Sequence, residues 1–430
     1  MVRCSFCLFR LRSQPLSLSL LVERSLLRKS VLLPPTPANR LGPLQCQRGE
    51  FGLPDGIRYL NCAFMSPLPR VAEQAGIRGM RRERLPMGVH ASDFFSQSNE
   101  IRWRFARLVG AADPSRIAVI PSVSYGVAIA ARNLAVEKGQ NIVLLHEQFP
   151  GNVYAWRRRA EDRGAQIRTV APPEGSTRGA VWNERIIESI DHSTAVVTVP
   201  HVHWTDGTVF DLVAIGRRVR EVGAALVVDG TQSVGAFPFD VAESQPDALI
   251  VAAYKWLLGP YSTAVAYLGP RFDDGVPLEE TWLGRAGSDD FKSLVDYQNE
   301  YQPGTAIRYD MGERANFILH PMLEASLDLL LQWRPEAIQD YCRALASPLI
   351  EASESFGFSV EEDEWRADHL FGLRMPEGIE LEALKAELER RHIFVSLRGS
   401  ALRVSPHLYN DESDVAALIE ALERAVAQDG

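Results

Sequence analysis

The chain has 430 residues, of which 46% are hydrophobic and 23% are charged, the composition of a folded soluble protein. Its net charge of -9 argues against a general nucleic-acid binder, and no apolar run reaches the ~20 residues that span a bilayer. The length is too great for one ordinary core and fits a large domain with a smaller one.

The first 48 residues differ in composition from the rest. They hold eight basic residues against one acid, Glu23, with many serines and leucines and a proline-rich break at residues 34–37. This composition is typical of an organellar transit peptide, and a start codon placed too far upstream, which would add a disordered tail, is an equal alternative. We therefore expect a cytoplasmic protein, or a mitochondrial one if the segment is a transit peptide.

Cysteine spacing gives no sign of a metal site. One Cys-x-x-Cys pair lies in the doubtful N-terminal segment and has no second half. We predict no metal and reduced thiols, as in an intracellular enzyme, at the five cysteines, Cys4, Cys7, Cys46, Cys62 and Cys342.

From about residue 50 short apolar runs alternate with amphipathic stretches. Uninterrupted apolar runs are typical of strands covered on both faces, which predicts an α/β fold with a mostly parallel sheet. The predicted helices include 125–135, 153–163 and 212–222, and the predicted strands are 117–120, 142–145, 166–170, 195–199, 225–228, 248–251 and 263–267.

The pattern changes after residue 310. A long helix is predicted over Arg314–Trp333, followed by helices near 381–391 and 412–427. With strand candidates at 358–361, 369–374, 393–397 and 401–405, this region reads as a smaller α+β domain. We predict a large domain over 49–310 and a small domain over 311–430.

Lys255 is the most informative residue. It follows the apolar run 248–253, where burial would lower its pKa and make the neutral amine a usable nucleophile. A second apolar run ends in Asp229, so an acid and a lysine lie at the ends of two buried strands. This pairing suggests a Schiff base to pyridoxal 5′-phosphate (PLP), with the carboxylate on the pyridinium nitrogen.

Further residues match what PLP requires. Gln232 could donate to the ring oxygen, and Phe149, after the strand that ends at Leu145, could stack on the ring. Ser122 and Val123 open a predicted helix whose free amides suit a phosphate, although a plain serine N-cap is commoner.

Other candidates would complete the site. Tyr254 and Trp282 could add phosphate donors, and the guanidinium of Arg403 suits a substrate α-carboxylate. His203 could approach the substrate or the ring oxygen, and a packed loop histidine is an equal reading.

Three motifs in order, Asp229-Gly-Thr-Gln232, Tyr254-Lys255 and Arg403-Val-Ser-Pro-His-Leu-Tyr-Asn410, resemble the class V aminotransferases of the fold-type I PLP enzymes. The resemblance covers roughly residues 55–427. It implies a seven-stranded large domain, a C-terminal small domain and a homodimer with shared active sites, in which Thr305 would reach the neighbour's phosphate.

The group includes cysteine desulfurases, selenocysteine lyases, kynureninases and isopenicillin N epimerase-like proteins. Desulfurases carry a catalytic cysteine before the carboxylate-binding arginine, where this chain has a short stretch without cysteine, and a histidine where it has Tyr254. Kynureninases share the Tyr-Lys pair but have histidine in place of Gln232 and aspartate in place of Asn152.

These features predict a PLP-dependent enzyme that acts on an amino acid, most simply an aminotransferase. A lyase or epimerase with the same cofactor is the alternative, and a non-catalytic protein that keeps the fold is a third. A nucleotide-binding dehydrogenase is weaker, since no G-x-G-x-x-G or Walker-type loop follows a strand.

Overall fold

The computed structural model describes residues 42–175, 178–379 and 381–427. Most of the 1–48 extension, with Cys4 and Cys7, lies outside the described residues. From Pro43 onwards the chain forms one compact unit. No helix in the described part of the chain is both long and apolar enough to cross a membrane.

The end of the predicted extension already takes part in the fold. The backbone N–H of Gln47 donates to the carbonyl of Leu408 at 2.6 Å. The guanidinium of Arg48 pairs with Asp414 at 3.3 Å and donates to the carbonyl of Ile57 at 2.7 Å. The contacts of the folded unit therefore begin before the predicted boundary at residue 48.

The strands of the described residues fall into three sheets. They are β1 (Arg58–Tyr59), β2 (Ile117–Ile120), β3 (Asn141–Leu145), β4 (Gln166–Val170), β5 (Thr194–Pro200), β6 (Ala225–Asp229), β7 (Ala248–Ala252), β8 (Ala264–Leu268), β9 (Phe371–Arg374), β10 (Ile393–Phe394), β11 (Ser396–Arg398) and β12 (Ala401–Val404).

The α-helices cover these sheets and connect their strands. They are α1 (Arg70–Glu83), α2 (Asp93–Leu108), α3 (Val123–Asn133), α4 (Tyr154–Arg163), α5 (Gly179–Glu188), α6 (Leu212–Glu221), α7 (Val241–Ser244), α8 (Leu319–Trp333), α9 (Pro335–Ser355), α10 (Leu381–Arg390) and α11 (Glu412–Ala427).

The large sheet has seven strands in the order β2-β8-β7-β6-β5-β3-β4. Neighbouring strands pair in parallel except for β8, which is antiparallel to both β7 and β2, so six strands share one direction. Every residue of β2, β3, β5, β6 and β7 is buried, as uninterrupted apolar runs require. The predicted mostly parallel seven-stranded sheet is confirmed, with all seven strands where the apolar runs lie.

Helix α3 lies close against this sheet because of one glycine. A Cβ on Gly126 would come within 2.7 Å of Ile250 on β7 and 2.8 Å of Ile120 on β2. The hydroxyl of Ser122 caps the helix by accepting from the Tyr125 N–H at 3.2 Å. The sheet thereby holds the N-terminus of α3 beside the ends of β2 and β7.

The C-terminal region contains an antiparallel sheet in the order β11-β12-β9. Helices α9 and α11 pack against each other beside it, and their apolar faces share one core cluster with the strands. A parallel pair between β1 and β10 joins the start of the folded chain to this region.

Several predicted elements of this region differ from those observed. The helix predicted over Arg314–Trp333 begins only at Leu319, because the side chain of Asn316 accepts the N–H groups of residues 318 and 319 and starts the helix there. The predicted strand 358–361 is reduced to one bridge, between Ser359 and Arg374. The predicted strand 393–397 is divided into β10 and β11, which pair with different partners.

Candidate active site

A cavity of about 260 Å³ lies at the carboxyl ends of the parallel strands. Its lining comes from the last residues of β5, β6 and β7 and from the segments that follow β2, β3, β5, β6 and β7, so five separate parts of the chain meet there. Ligands of open α/β sheets bind at this edge, where loops leave the strands. Of the residues predicted for the site, the structure places seven on the lining: Ser122, Val123, Phe149, Asp229, Gln232, Tyr254 and Lys255.

Asp229, at the end of β6, and Lys255, in the turn that follows the adjacent strand β7, both line this cavity. Lys255 is 6% exposed, and burial lowers the pKa of its amine to about 8, against the opposing effect of Asp229. Asp229 is 7% exposed, and burial raises the pKa of its carboxyl while the charge of Lys255 and hydrogen bonds from Thr231 oppose that rise. Each charge shifts the pKa of the other group, so the two groups are close enough to contact one bound molecule.

Aromatic rings form a wall beside the lysine. The Lys255 Nζ lies 5.4 Å from the centroid of the Phe149 ring and 5.6 Å from that of Tyr254. The Phe149 ring meets the Trp204 ring edge to face, with 5.5 Å between the centroids. A flat heteroaromatic ring bound by Lys255 would therefore find an aromatic face next to it.

Gln232 is held in one orientation. Its Nε2 donates to the carbonyl of Ala63 at 3.1 Å, and its Oε1 accepts from the Trp256 Nε1 at 2.8 Å. One N–H of the amide remains for a ligand in the cavity, because the amide nitrogen carries two.

Two polar side-chain atoms of the lining are buried and have no hydrogen-bond partner in the described part of the chain. They are the Oε1 of Gln148 and the Oγ1 of Thr263. Buried polar atoms in native proteins are nearly always hydrogen-bonded, so these two indicate that a polar ligand belongs here. Together with the capped N-terminus of α3, the buried acid and the buried lysine, they fit a phosphorylated pyridine aldehyde.

Arg403 is close to this cavity but does not line it. It is 1% exposed, and its Nη1 donates to the carbonyl of Trp204 at 2.7 Å. Burial and the nearby Arg398 lower the pKa of its guanidinium to about 9. Its charge in turn lowers the pKa of Lys255, which places it within electrostatic range of the amine.

His203 turns away from the cavity. Its Nδ1 is 2.8 Å from the Oγ1 of Thr205, and its ring packs against the rings of Trp182 and Phe210. In the loop after β5, Trp204 lines the cavity and His203 does not. Of the two readings of His203, the observed position is that of a packed loop histidine.

Trp282 and Thr305 also lie outside the lining. Trp282 packs with Phe94, Phe95 and Phe291 beside a second cavity, and 40% of its surface is exposed. The hydroxyl of Thr305 donates to the carbonyl of Gln302 at 3.1 Å. Neither residue is brought to Lys255 within one chain.

Sequence reasoning missed several residues of the lining. Trp204 was visible only as part of the segment after β5, and Thr231 only as a spacer between Asp229 and Gln232. The Thr231 hydroxyl accepts from the Ala252 N–H at 3.2 Å and so ties β6 to β7 beside the lysine. Ser124, in the first turn of α3, also lines the cavity, and three others come from loops with no distinctive pattern: Gln148, Tyr261 and Thr263.

Comparison with known proteins identifies the family. The sequence pattern of the family described as aminotransferase class-V matches residues 84–418. The chain belongs to this family. Pyridoxal 5′-phosphate is accordingly its cofactor, as the sequence predicted.

Relatives within the family carry different names. An uncharacterized aminotransferase, YcbU, of Bacillus subtilis is 25% identical over 78% of this chain and 85% of its own length. The isopenicillin N epimerase of Streptomyces clavuligerus is 24% identical over 87% of this chain and 96% of its own length. The solved cysteine desulfurase of Thermococcus onnurineus has the same fold, with a TM-score of 0.76, 18% identity and coverage of 90% of this chain and all of that one.

Proposed function

We propose that this chain is a PLP-dependent enzyme that acts at the Cα of an amino acid through Lys255, as an aminotransferase. The observation that carries the proposal is the pair formed by Lys255 and Asp229, both buried and both facing one cavity at the carboxyl edge of the sheet. A protein that kept only the fold would have no need to bury both groups at the cost of their solvation. This speaks against the non-catalytic alternative.

Each residue has a distinct role in this proposal. PLP, when bound, withdraws electrons from the substrate Cα. Lys255 would hold the cofactor covalently, and its amine, with a pKa of about 8, would be suited to move a proton at the substrate Cα. Asp229 would keep a proton on the ring nitrogen, Gln232 would donate to the ring oxygen and Arg403 would orient the substrate carboxylate.

The C-terminal hairpin argues against desulfuration. Strands β11 and β12 are joined by Gly399 and Ser400 alone, with Gly399 at a φ of 58°. This tight turn leaves no loop on which a nucleophilic cysteine could approach the substrate. The thiol of Cys62 is fully buried, and burial raises its pKa to about 12, so it is not a reactive thiolate.

The lining also favours transamination over epimerisation. Inversion at Cα by two bases requires a proton acceptor on each side of the substrate. Among the described residues that line the cavity, Lys255 is the only lysine, arginine or histidine. Burial raises the pKa of Tyr254, which makes it a hydrogen-bond donor rather than a base. Transamination requires one base that would move a proton between the substrate Cα and the aldehyde carbon of the cofactor. A single lysine fits this requirement.

We further propose a homodimer with shared sites, as the family resemblance implies. Trp282 and Phe291 are each 40% exposed, and Thr305 lies on an exposed loop outside the cavity of its own chain. An apolar surface next to residues expected at a phosphate suits contact with a second copy. The cytoplasmic or mitochondrial location remains a prediction.

The assignment of Lys255 can be tested chemically. Borohydride reduction of the holoenzyme should fix the cofactor on Lys255, which peptide mass spectrometry would locate. Lys255→Ala should lose the visible absorbance of the lysine-bound cofactor and all activity, whereas Lys138→Ala, at an exposed lysine, should keep both. A yellow and active Lys255→Ala would overturn the assignment.

The reaction type needs a separate experiment. Single amino acids would be added to the holoenzyme with and without a 2-keto acid. Conversion of the cofactor to its amine form, with release of a new keto acid, supports transamination. Pyruvate, sulfide or anthranilate formed without an acceptor would indicate a lyase, and loss of optical rotation without a keto acid would indicate an epimerase.

A further inference from the structure

Two arginines share one face of the C-terminal hairpin. In the register of β11 and β12, Ser396 lies opposite Arg403, and Arg398 lies two residues along β11 from Ser396. Side chains two apart on a strand, and those directly opposite across a pair, point to the same face. Arg398 and Arg403 therefore project together, and the contact of Arg403 Nη2 with the Ser396 hydroxyl at 3.4 Å agrees with this.

Both arginines contact the same residue of the cavity wall, Trp204, although neither lines the cavity itself. The guanidinium carbon of Arg398 lies 5.5 Å from the centroid of the Trp204 ring, and Arg403 donates to the carbonyl of the same residue. Trp204 lines the cavity and contacts the Phe149 ring beside Lys255. The charges of both arginines lower the pKa of Lys255, so both act on the reacting amine.

Neither guanidinium has an acidic partner among the described residues. Arg398 donates from Nη1 to the carbonyl of the adjacent Leu397 at 2.7 Å, and Arg403 bonds only to a carbonyl and a hydroxyl. The Nε of each is buried without a hydrogen bond. Two buried donors and two uncompensated positive charges are thus left on one face.

A neighbouring site shows how this fold treats structural arginines. Arg178 and Arg374 both pair with the buried carboxylate of Asp206. The pair at the hairpin lacks such a carboxylate. Stacking on Trp204 alone would not explain this, because a ring contact leaves the hydrogen-bonding edge of Arg398 unused.

The charge balance of the site indicates what is missing. Among the described residues that line the cavity with Lys255, the one carboxylate is that of Asp229, which the proposal assigns to the cofactor ring. The α-carboxylate of an amino acid would neutralise Arg403 and would leave Arg398 without a partner. A second carboxylate on the same substrate would satisfy both guanidiniums, each in the bidentate geometry that arginine favours.

We propose that Arg398 is a specificity residue that binds the side-chain carboxylate of an acidic α-amino acid, while Arg403 binds the α-carboxylate. The substrate class is therefore the dicarboxylic amino acids and the matching dicarboxylic 2-keto acids. This inference rests on the proposed function, since it assigns the substrate of that same site.

Binding of unreactive ligands tests the inference without turnover. Glutarate and succinate, which carry two carboxylates, and butyrate, which carries one, would be titrated calorimetrically into the holoenzyme. We expect the better dicarboxylate to bind about 10-fold or more tightly than butyrate. Arg398→Gln should weaken dicarboxylate binding about 10- to 100-fold and change butyrate binding less than threefold.

Matched variants separate this effect from others. Arg217→Gln removes one charge from an exposed position on α6 and should leave both ligands unaffected. Arg398→Lys keeps the charge without the fork and should restore part of the dicarboxylate preference. The inference would be wrong if Arg398→Gln weakened the binding of the dicarboxylate and of butyrate equally. It would also be wrong if this variant retained the cofactor less tightly while its affinity for the dicarboxylate was unchanged.

The amino-acid series distinguishes failure of the inference from failure of the proposed function. Glutamate and aspartate should change the cofactor spectrum at lower concentrations than glutamine and asparagine. A response to neutral amino acids alone would refute the role of Arg398 and keep the proposed enzyme class. No response to any amino acid, with borohydride labelling elsewhere, would refute the proposed function itself.

Discussion

The buried amine of Lys255 predicts an unusual dependence of stability on pH. In water the pKa of a lysine is 10.5, and burial lowers that of Lys255 to about 8. Between these values the unfolded chain binds a proton at this residue and the folded chain does not. The free energy of unfolding of the cofactor-free protein should therefore rise with pH in this window, in proportion to the difference in bound protons.

The size of the effect follows from the same values. Each pKa unit corresponds to about 1.36 kcal/mol, and integration over the two pKa values shows that raising the pH from 7.5 to 9.5 should stabilise the folded chain by about 2 kcal/mol through Lys255 alone. Below pH 8 the residue is protonated in both states, and the full cost of burying the charge remains. Lys255→Met lacks this contribution. The variant should therefore have a higher free energy of unfolding than the wild type at pH 7, and this difference should shrink as the pH rises.

Urea unfolding of the cofactor-free proteins at pH 7.5 and 9.5 would measure this, at one protein concentration throughout. Tryptophan fluorescence and circular dichroism should give coincident curves before a free energy is extracted. Comparing each variant with the wild type removes the contribution of groups that both contain. Lys138→Met, at an exposed lysine, is the control and should follow the wild type. If the difference between wild type and Lys255→Met stayed constant within about 0.5 kcal/mol, the argument from burial would be wrong.

Three further predictions concern other parts of the fold and site. Asp206→Asn should lower the stability by about 3–5 kcal/mol, because the buried carboxylate that pairs with Arg178 and Arg374 loses its charge, and an unchanged melting temperature would refute this. Gly207→Ala should be strongly destabilising in urea, since its φ is 78° and a Cβ would lie 1.8 Å from the carbonyl of Leu370. Gly139→Ala, with a φ of 87° and open space around it, should cost only about 1 kcal/mol, and equal losses in the two would contradict the steric argument. Asp229→Asn should keep the cofactor but lower turnover about 100-fold, whereas near-normal turnover would remove Asp229 from its proposed role.

The sequence was sufficient to predict the large sheet because its signal is local. A strand covered on both faces must be apolar along its length, and β2, β5 and β7 each show that pattern within a few residues. The same reasoning located Lys255 and Asp229, since a charged residue at the end of such a run is conspicuous in any chain.

The C-terminal region was less predictable for the same reason. Its helix α9 contains Pro348 and was not anticipated, and the start of α8 depends on a side-chain cap rather than on apolar periodicity. The stretch from residue 393 to 398 has one apolar pattern but pairs with two different partners, which only long-range contacts decide.

The sequence alone determined which strands form the sheet and which lysine and acid lie at its carboxyl edge. Tertiary structure decided which neighbours join them. It packed His203 into the core, brought Trp204 to the cavity and set Arg398 beside Arg403 with no acidic partner among the residues that the structure describes. The physical reason is that burial of a strand is a property of consecutive residues. The direction of a loop side chain and the charge around it depend on segments that are distant in the sequence and meet only after folding.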